Sequence, residues 1–103
     1  PMSLLVHYTL KTADDHGAQI TAMQALVEDL KAEGLPGTNG LHYTCFATDD
    51  PTRFVGVLEY GGEDGKQAFL NSAAFARYRE TVAPIFANPP PTTPLKPVSA
   101  TRA

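Results

Sequence analysis

Apolar and polar positions alternate along this chain in two different rhythms. Leu4 to Leu10 (LLVHYTL) is a short run of apolar and β-favouring residues and predicts a first strand. Asp14 and Asp15 then supply a helix N-cap and negative charge, and Ile20, Met23, Leu26 or Val27, and Leu30 recur at helical spacing. Glu28, Asp29, Lys31 and Glu33 take the wet face, and Gly34 follows as a helix-terminating glycine. Leu35 to Gly40 (LPGTNG) reads as a loop of breakers. Two strands come next, Leu41 to Thr48 and Arg53 to Tyr60, joined by the turn residues Asp49-Asp50-Pro51-Thr52.

A second helical stretch opens at Glu63 and Asp64, with Phe69, Leu70, Phe75, Tyr78 and Val82 as its apolar stripe and a break expected near Asn71-Ser72. Pro84 ends it by disfavouring helix at Ala83. Asn88 to Pro94 is a polyproline-like connector, and Leu95 to Ala100 is the expected last strand. Pro94 and Pro97 lack an N–H, so that strand belongs at an edge. The order β-α-β-β-α-β predicts an α+β, ferredoxin-like domain: a four-stranded antiparallel sheet with helices on one face. Residues 1–103 form one domain, with a core over 4–83, a connector over 88–94 and a short strand over 95–100.

A four-residue turn places Thr48 opposite Arg53 and sets the faces of the hairpin. Leu41, Tyr43, Cys45 and Ala47 share one face with Phe54, Gly56, Leu58 and Tyr60. The other carries His42, Thr44, Phe46 and Thr48 with Arg53, Val55, Val57 and Glu59. The first strand adds to this second face either Leu4/Val6/Tyr8/Leu10 or Leu5/His7/Thr9. A solvated face would turn polar. This one keeps Phe46, Val55 and Val57, so a second copy of the chain is the expected cover, sheet against sheet.

Composition narrows the partners. With 43% apolar and 18% charged residues, a net charge of −3 and no basic cluster, the chain is globular and lacks a nucleic-acid footprint. Cys45 is the only cysteine, which excludes an internal disulfide and fits a reducing compartment. No apolar run has the length of a membrane span, and no signal-peptide pattern precedes Lys11, so cytoplasm is the expected location. Three scattered histidines have no metal-ligand spacing, and no phosphate-binding glycine motif or nucleophile elbow occurs. No cofactor is expected.

Gly40-Leu41-His42-Tyr43, Asp50-Pro51-Thr52-Arg53-Phe54-Val55, Leu58-Glu59-Tyr60, Phe69-Leu70-Asn71-Ser72 and Ala74-Phe75, in this order, resemble the antibiotic biosynthesis monooxygenase (ABM) family over residues 4 to 83. The resemblance implies a dimeric α+β barrel with a pocket between sheet and helices in each subunit. Members include cofactor-independent oxygenases of anthrones and quinols, haem-degrading enzymes and proteins with no assigned activity. The haem-degrading branch uses an Asn, a Trp and a His; His7, Tyr60 and Arg79 stand in those places, and haem degradation is not implied.

The resemblance places His7 in the pocket as the base that takes a proton from a phenolic substrate, with Tyr60 and Arg79 orienting the resulting anion. Tyr43, Leu58, Phe75 and Tyr78 are the implied substrate contacts, Tyr78 near the mouth. The plain alternatives are a satisfied buried histidine, core tyrosines and a solvated helix face at Arg79. His42 opposite Glu59 predicts a cross-strand ion pair, Arg53 pairs with the Asp49-Asp50 turn, and Cys45 packs beside Gly56, small on small. The leading function is a cofactor-independent monooxygenase of a small aromatic. The alternative is a non-catalytic ligand-binding or stress-type barrel dimer. A minor one is a tautomerase using Pro1 as base, disfavoured because the strand starts near Leu4 and no arginine occurs in the first 52 residues.

Overall fold

A computed structural model describes residues 2–102, apart from the side chain at position 38; Pro1, the base required by the tautomerase alternative, lies outside the described residues. The elements run β1 (Met2–Thr9), a 3-10 turn (Ala13–Asp15), α1 (His16–Ala32), α2 (Leu35–Asn39), β2 (His42–Ala47), β3 (Arg53–Tyr60), α3 (Glu63–Leu70), α4 (Ala73–Val82) and β4 (Thr92–Leu95). The strands form one antiparallel sheet in the order β2-β3-β1-β4, the ferredoxin-like arrangement expected from the sequence. Among the described residues no helix is long and apolar enough to cross a membrane.

The hairpin register is the one the turn dictates. His42 faces Glu59, Tyr43 faces Leu58, Cys45 faces Gly56 and Phe46 faces Val55. Asp50 holds the turn: its Oδ1 accepts from the Thr52 amide at 2.9 Å and from the Thr52 hydroxyl at 2.7 Å. Those two bonds hold the Asp50 carboxyl below its usual range, and Arg53 lies 3.8 Å away as anticipated.

β1 takes the parity that the sequence left open. Leu4, Val6 and Tyr8 face the helices, and Ser3, Leu5, His7 and Thr9 join the opposite face. The core lies between sheet and helices, with Phe54, Leu26 and Leu41 almost fully buried. Burying such a side chain contributes roughly 1.5–3 kcal/mol. α1 buries Ala22, Met23, Leu26 and Leu30 on one stripe and packs against α4.

The break between α3 and α4 has a local cause. Ser72 is the N-cap of α4, its hydroxyl accepting from the Phe75 amide at 3.0 Å and donating to the Phe69 carbonyl at 2.7 Å. Glu33, at the end of α1, accepts a second free amide, that of Ala74, at 2.8 Å. α4 stops at Val82, two residues before Pro84.

Three expectations are corrected. Leu35 to Gly40 is not a loop: a single helical turn, α2, fits between Gly34 and Gly40, both left-handed (φ 74° and 61°), with Pro36 in the first turn where a missing N–H costs nothing. The last strand is Thr92–Leu95 and not 95–100. The connector is already extended and lies along the free edge of β1, pairing Val6 with Thr92 and Ser3 with Leu95, while Val98 beyond it is exposed. His42 and Glu59 stand opposite each other without an ion pair within 4 Å. Exposed pairs gain little against the side-chain entropy they lose.

Candidate functional site

A cavity of about 620 Å³ lies between the sheet and α3/α4, a size suited to a small organic ligand. Leu4, Val6 and Tyr8 of β1, Tyr43 of β2 and Leu58 of β3 form its floor. Phe69, Phe75, Tyr78 and Val82 supply the helical wall. Residues 86–90 run beside β1 and close a third side. That strap is tied down by the chain itself: the Ala87 amide donates to the Thr9 carbonyl at 2.9 Å and the His7 amide to Pro91 at 3.0 Å.

Aromatic rings make up much of the lining. Phe69 and Phe75 lie 4.6 Å apart between centroids, Tyr43 tilts toward Phe69 at 6.2 Å, and Tyr78 meets Tyr8 edge-on at 6.5 Å. Such rings favour flat, polarisable ligands.

The polar groups of the floor are phenols. Tyr8 and Tyr43 share a hydrogen bond between their hydroxyls. Tyr78 accepts a 2.9 Å bond from the side-chain amide of Gln19, a fully buried residue of α1 whose Oε1 has no hydrogen-bond partner. Burial pushes all three phenols well above the ordinary tyrosine pKa, outweighing the hydrogen bonds that lower Tyr8 and Tyr78. At neutral pH they are hydrogen-bond donors, suited to an oxygen atom of a ligand. Cys45 lies beneath this pair, half-buried beside Gly56, and burial raises its thiol too, as a packing residue requires.

Cationic groups sit at the cavity's margin. Lys11, Lys66 and Arg79 line it, and the Arg79 guanidinium stacks over Phe75 at 4.8 Å. Among the described residues no Asp, Glu or His lines the cavity, and no cluster of His, Cys, Asp or Glu is arranged to hold a metal ion.

Of the residues singled out in the sequence, Tyr43, Leu58, Phe75, Tyr78 and Arg79 do line one cavity. Tyr78 is part of the wall and not of the mouth, being only 5% exposed. His7 and Tyr60 are corrections. His7 sits on the opposite face of the sheet, paired with Val55, its Nε2 sharing a 3.3 Å hydrogen bond with the Thr93 hydroxyl. Strand alternation forbids it the cavity once Tyr8 is inside. Tyr60 is on the helix side yet outside the cavity, 2% exposed at the far end of β3, where Gly65 of α3 packs close to its Cβ.

Tyr8 is the residue the sequence reading missed as a site. The alternation Leu4/Val6/Tyr8/Leu10 contained it as one of two possible faces. His16 is structural: it opens α1, shares a 2.8 Å hydrogen bond with the Pro51 carbonyl and stacks on Phe54 at 4.9 Å.

No family model and no curated protein matches this chain. Solved structures do. A candidate antibiotic biosynthesis monooxygenase from Nitrosomonas europaea superposes with a TM-score of 0.80 at 23% identity, covering 96% of this chain and 100% of that one. A structure named antibiotic biosynthesis monooxygenase gives 0.79 at 17% identity, over 96% and 100% of the two chains. The protein Rv0793 from Mycobacterium tuberculosis gives 0.78 at 17%, over 98% of each. The described residues therefore have the fold of these proteins over nearly their full length.

Proposed function

We propose that this chain is a subunit of an ABM-type, cofactor-independent monooxygenase acting on a small oxygenated aromatic. One observation carries the reading: an aromatic-walled cavity whose floor presents the paired hydroxyls of Tyr8 and Tyr43. The fold shared with structures named as ABM monooxygenases supports the oxygen chemistry.

An anthrone or quinol slides its rings between Phe69/Phe75 and the Leu4/Val6/Leu58 floor. Its oxygen takes a hydrogen bond from the phenol pair, which stabilises the enolate or phenolate form in a water-poor site. The substrate anion itself reduces O2. With an anthrone, one oxygen atom becomes the new carbonyl oxygen, and the other leaves as water, taking the remaining hydrogen of the methylene carbon and one proton from solvent in place of the one released. Among the described residues the cavity holds no imidazole or carboxylate to act as base, and in this proposal the protein works by lowering the cost of the anion while the proton goes to solvent.

That same lack favours a second reading, a binding protein with this fold and no turnover. Oxygen uptake with a panel of anthrones and quinols separates the two. The oxygenase reading expects consumption above the buffer rate, reduced about 10²-fold in Tyr8→Phe, the size typical for losing an oxyanion donor. His7→Ala leaves the rate unchanged. Ligand binding without oxygen uptake sinks the oxygenase and leaves the binder.

The functional unit in this proposal is a homodimer formed through the other sheet face. Phe46 is 48% exposed there, and Leu5, Val55 and Val57 are half-covered, a continuous apolar strip that a second copy would bury.

A further inference from the structure

We infer that the ligand of this cavity is an acid: an oxygenated aromatic carrying a permanent anionic group, carboxylate first among them, in addition to the ring oxygen held by Tyr8 and Tyr43. The inference rests on the aromatic-cavity reading above and names the substrate class within it.

Charge placement carries it. The chain is acidic overall, with a net charge of −3. Of its eight Lys and Arg residues, Lys96 and Arg102 follow β4 in an exposed segment outside the cavity, which leaves six. Three of them, Lys31, Arg53 and Arg77, pair with carboxylates on the outer surface, at 3.4, 3.8 and 3.2 Å. The other three, Lys11, Lys66 and Arg79, all line the cavity. None has a carboxylate within 4 Å among the described residues, and no acidic side chain lines the cavity with them. They come from three separate places: the segment after β1, α3 and the last turn of α4. An acidic chain that places three of its five cations without an ion pair, from three separate elements, around one apolar cavity builds a positive potential there, which attracts and retains anions.

Two simpler explanations fall short. Arg79 complements the C-terminus of α4, as basic residues do. Yet the Val82 carbonyl is already met by the Ile85 and Phe86 amides, and the dipole does not account for Lys66 on α3. Alternatively, lysine stems cover apolar surface with their methylenes. That use is compatible with an acidic partner for the ammonium, and here there is none. An acid group on the ligand supplies the missing partner, while its rings fill the aromatic interior.

The test compares two probes of one shape, anthraquinone-2-carboxylate and its neutral carboxamide, by calorimetric titration into the full chain at low salt. An exposed ion pair is worth up to about fivefold in affinity, so a carboxylate held by two or three of these cations predicts a preference on the order of tenfold. The preference shrinks in 1 M salt, where screening acts within about 3 Å. Lys66→Gln and Arg79→Gln each reduce it, Arg79→Lys restores it, and Lys31→Gln, outside the cavity, leaves it intact. Anthraquinone-2-sulfonate tells whether the site accepts any anion or requires a carboxylate; weaker binding than the carboxamide by both anions overturns the inference. Equal binding of carboxylate and carboxamide overturns it too, and leaves the aromatic cavity standing. Carboxylate-selective binding with no oxygen uptake on any acid-bearing substrate sinks the oxygenase instead. Binding of neither probe overturns both.

Discussion

Tyr8 of β1 and Tyr43 of β2 bond to each other through their hydroxyls across β3, the strand that separates them. Gly56 is what permits the contact. A Cβ placed there would stand 2.9 Å from Tyr43 Cε1 and 3.0 Å from its hydroxyl oxygen, so the ring lies over β3 only because that position has no side chain. The pair that defines the cavity floor thus depends on a third residue with no functional group of its own.

Gly56→Ala should therefore damage the site more than the fold. The methyl group pushes the Tyr43 ring aside and breaks the phenol pair, a loss of about 1 kcal/mol. Alanine in a strand recovers about 0.5–1 kcal/mol over glycine, so the urea midpoint moves little. Ligand affinity falls about five- to tenfold, since the donor pair is no longer positioned. Undiminished affinity in the Ala variant would remove the phenol pair from recognition.

Alkaline pH should destabilise the protein in a characteristic way. Burial raises Tyr8, Tyr43 and Tyr78 above the unfolded tyrosine value of about 10. Above that pH the unfolded chain has released phenolic protons that the folded chain still holds. Stability is thus full below pH 10 and declines as pH rises past it, by up to about 1.4 kcal/mol per pH unit for each tyrosine. Urea titrations from pH 8 to 11 read the slope, and Tyr8→Phe should make it shallower. A slope that Tyr8→Phe does not alter would place that phenol in water.

Gln19 and Tyr78 predict an asymmetry. Gln19→Met removes one hydrogen bond but also a buried carbonyl oxygen that has no partner, and should cost no more than about 1 kcal/mol. Tyr78→Phe leaves the buried amide with nothing to donate to and should cost about 1–3 kcal/mol. Chemical denaturation of both variants checks the order. The reverse order would mean that Gln19 Oε1 is satisfied in solution.

The dimer proposal has a direct measurement. Wild-type protein should sediment as a dimer at about 10 μM, and Phe46→Asp as a monomer with unchanged far-UV circular dichroism. A charge in the centre of an apolar sheet interface has no partner and cannot be solvated there. A wild-type monomer at that concentration would end the sheet-to-sheet model.

How far each element could be read from the chain follows from how strongly neighbours constrain it. The α1 stripe and the hairpin were legible because their signals are local. Leu26 and Leu30 repeat at helical period, and the Asp50 turn sets every hairpin pair from Thr48 to Arg53 and back. The break before α4 was legible because Ser72 caps it. β1 was not, because LLVHYTL offers apolar residues on both parities, and only packing of Tyr8 against Tyr78 and Phe86 selects one. That single choice put His7 outside and Tyr8 inside. β4 was placed late because a proline-rich segment is extended whether or not it pairs, and the open edge of β1 decided where pairing begins.

The sequence by itself determined the order of elements, the faces of the hairpin and the apolar strip that asks for a partner, since each follows from spacing along a few residues. Only the tertiary structure decided the site. Tyr8 and Tyr43 are 35 residues apart, and Lys11, Lys66 and Arg79 come from separate elements; no local period relates them. They meet because the chain buries the Tyr8 side of β1 beneath α3 and α4, and burial, unlike periodicity, is a property of the whole fold.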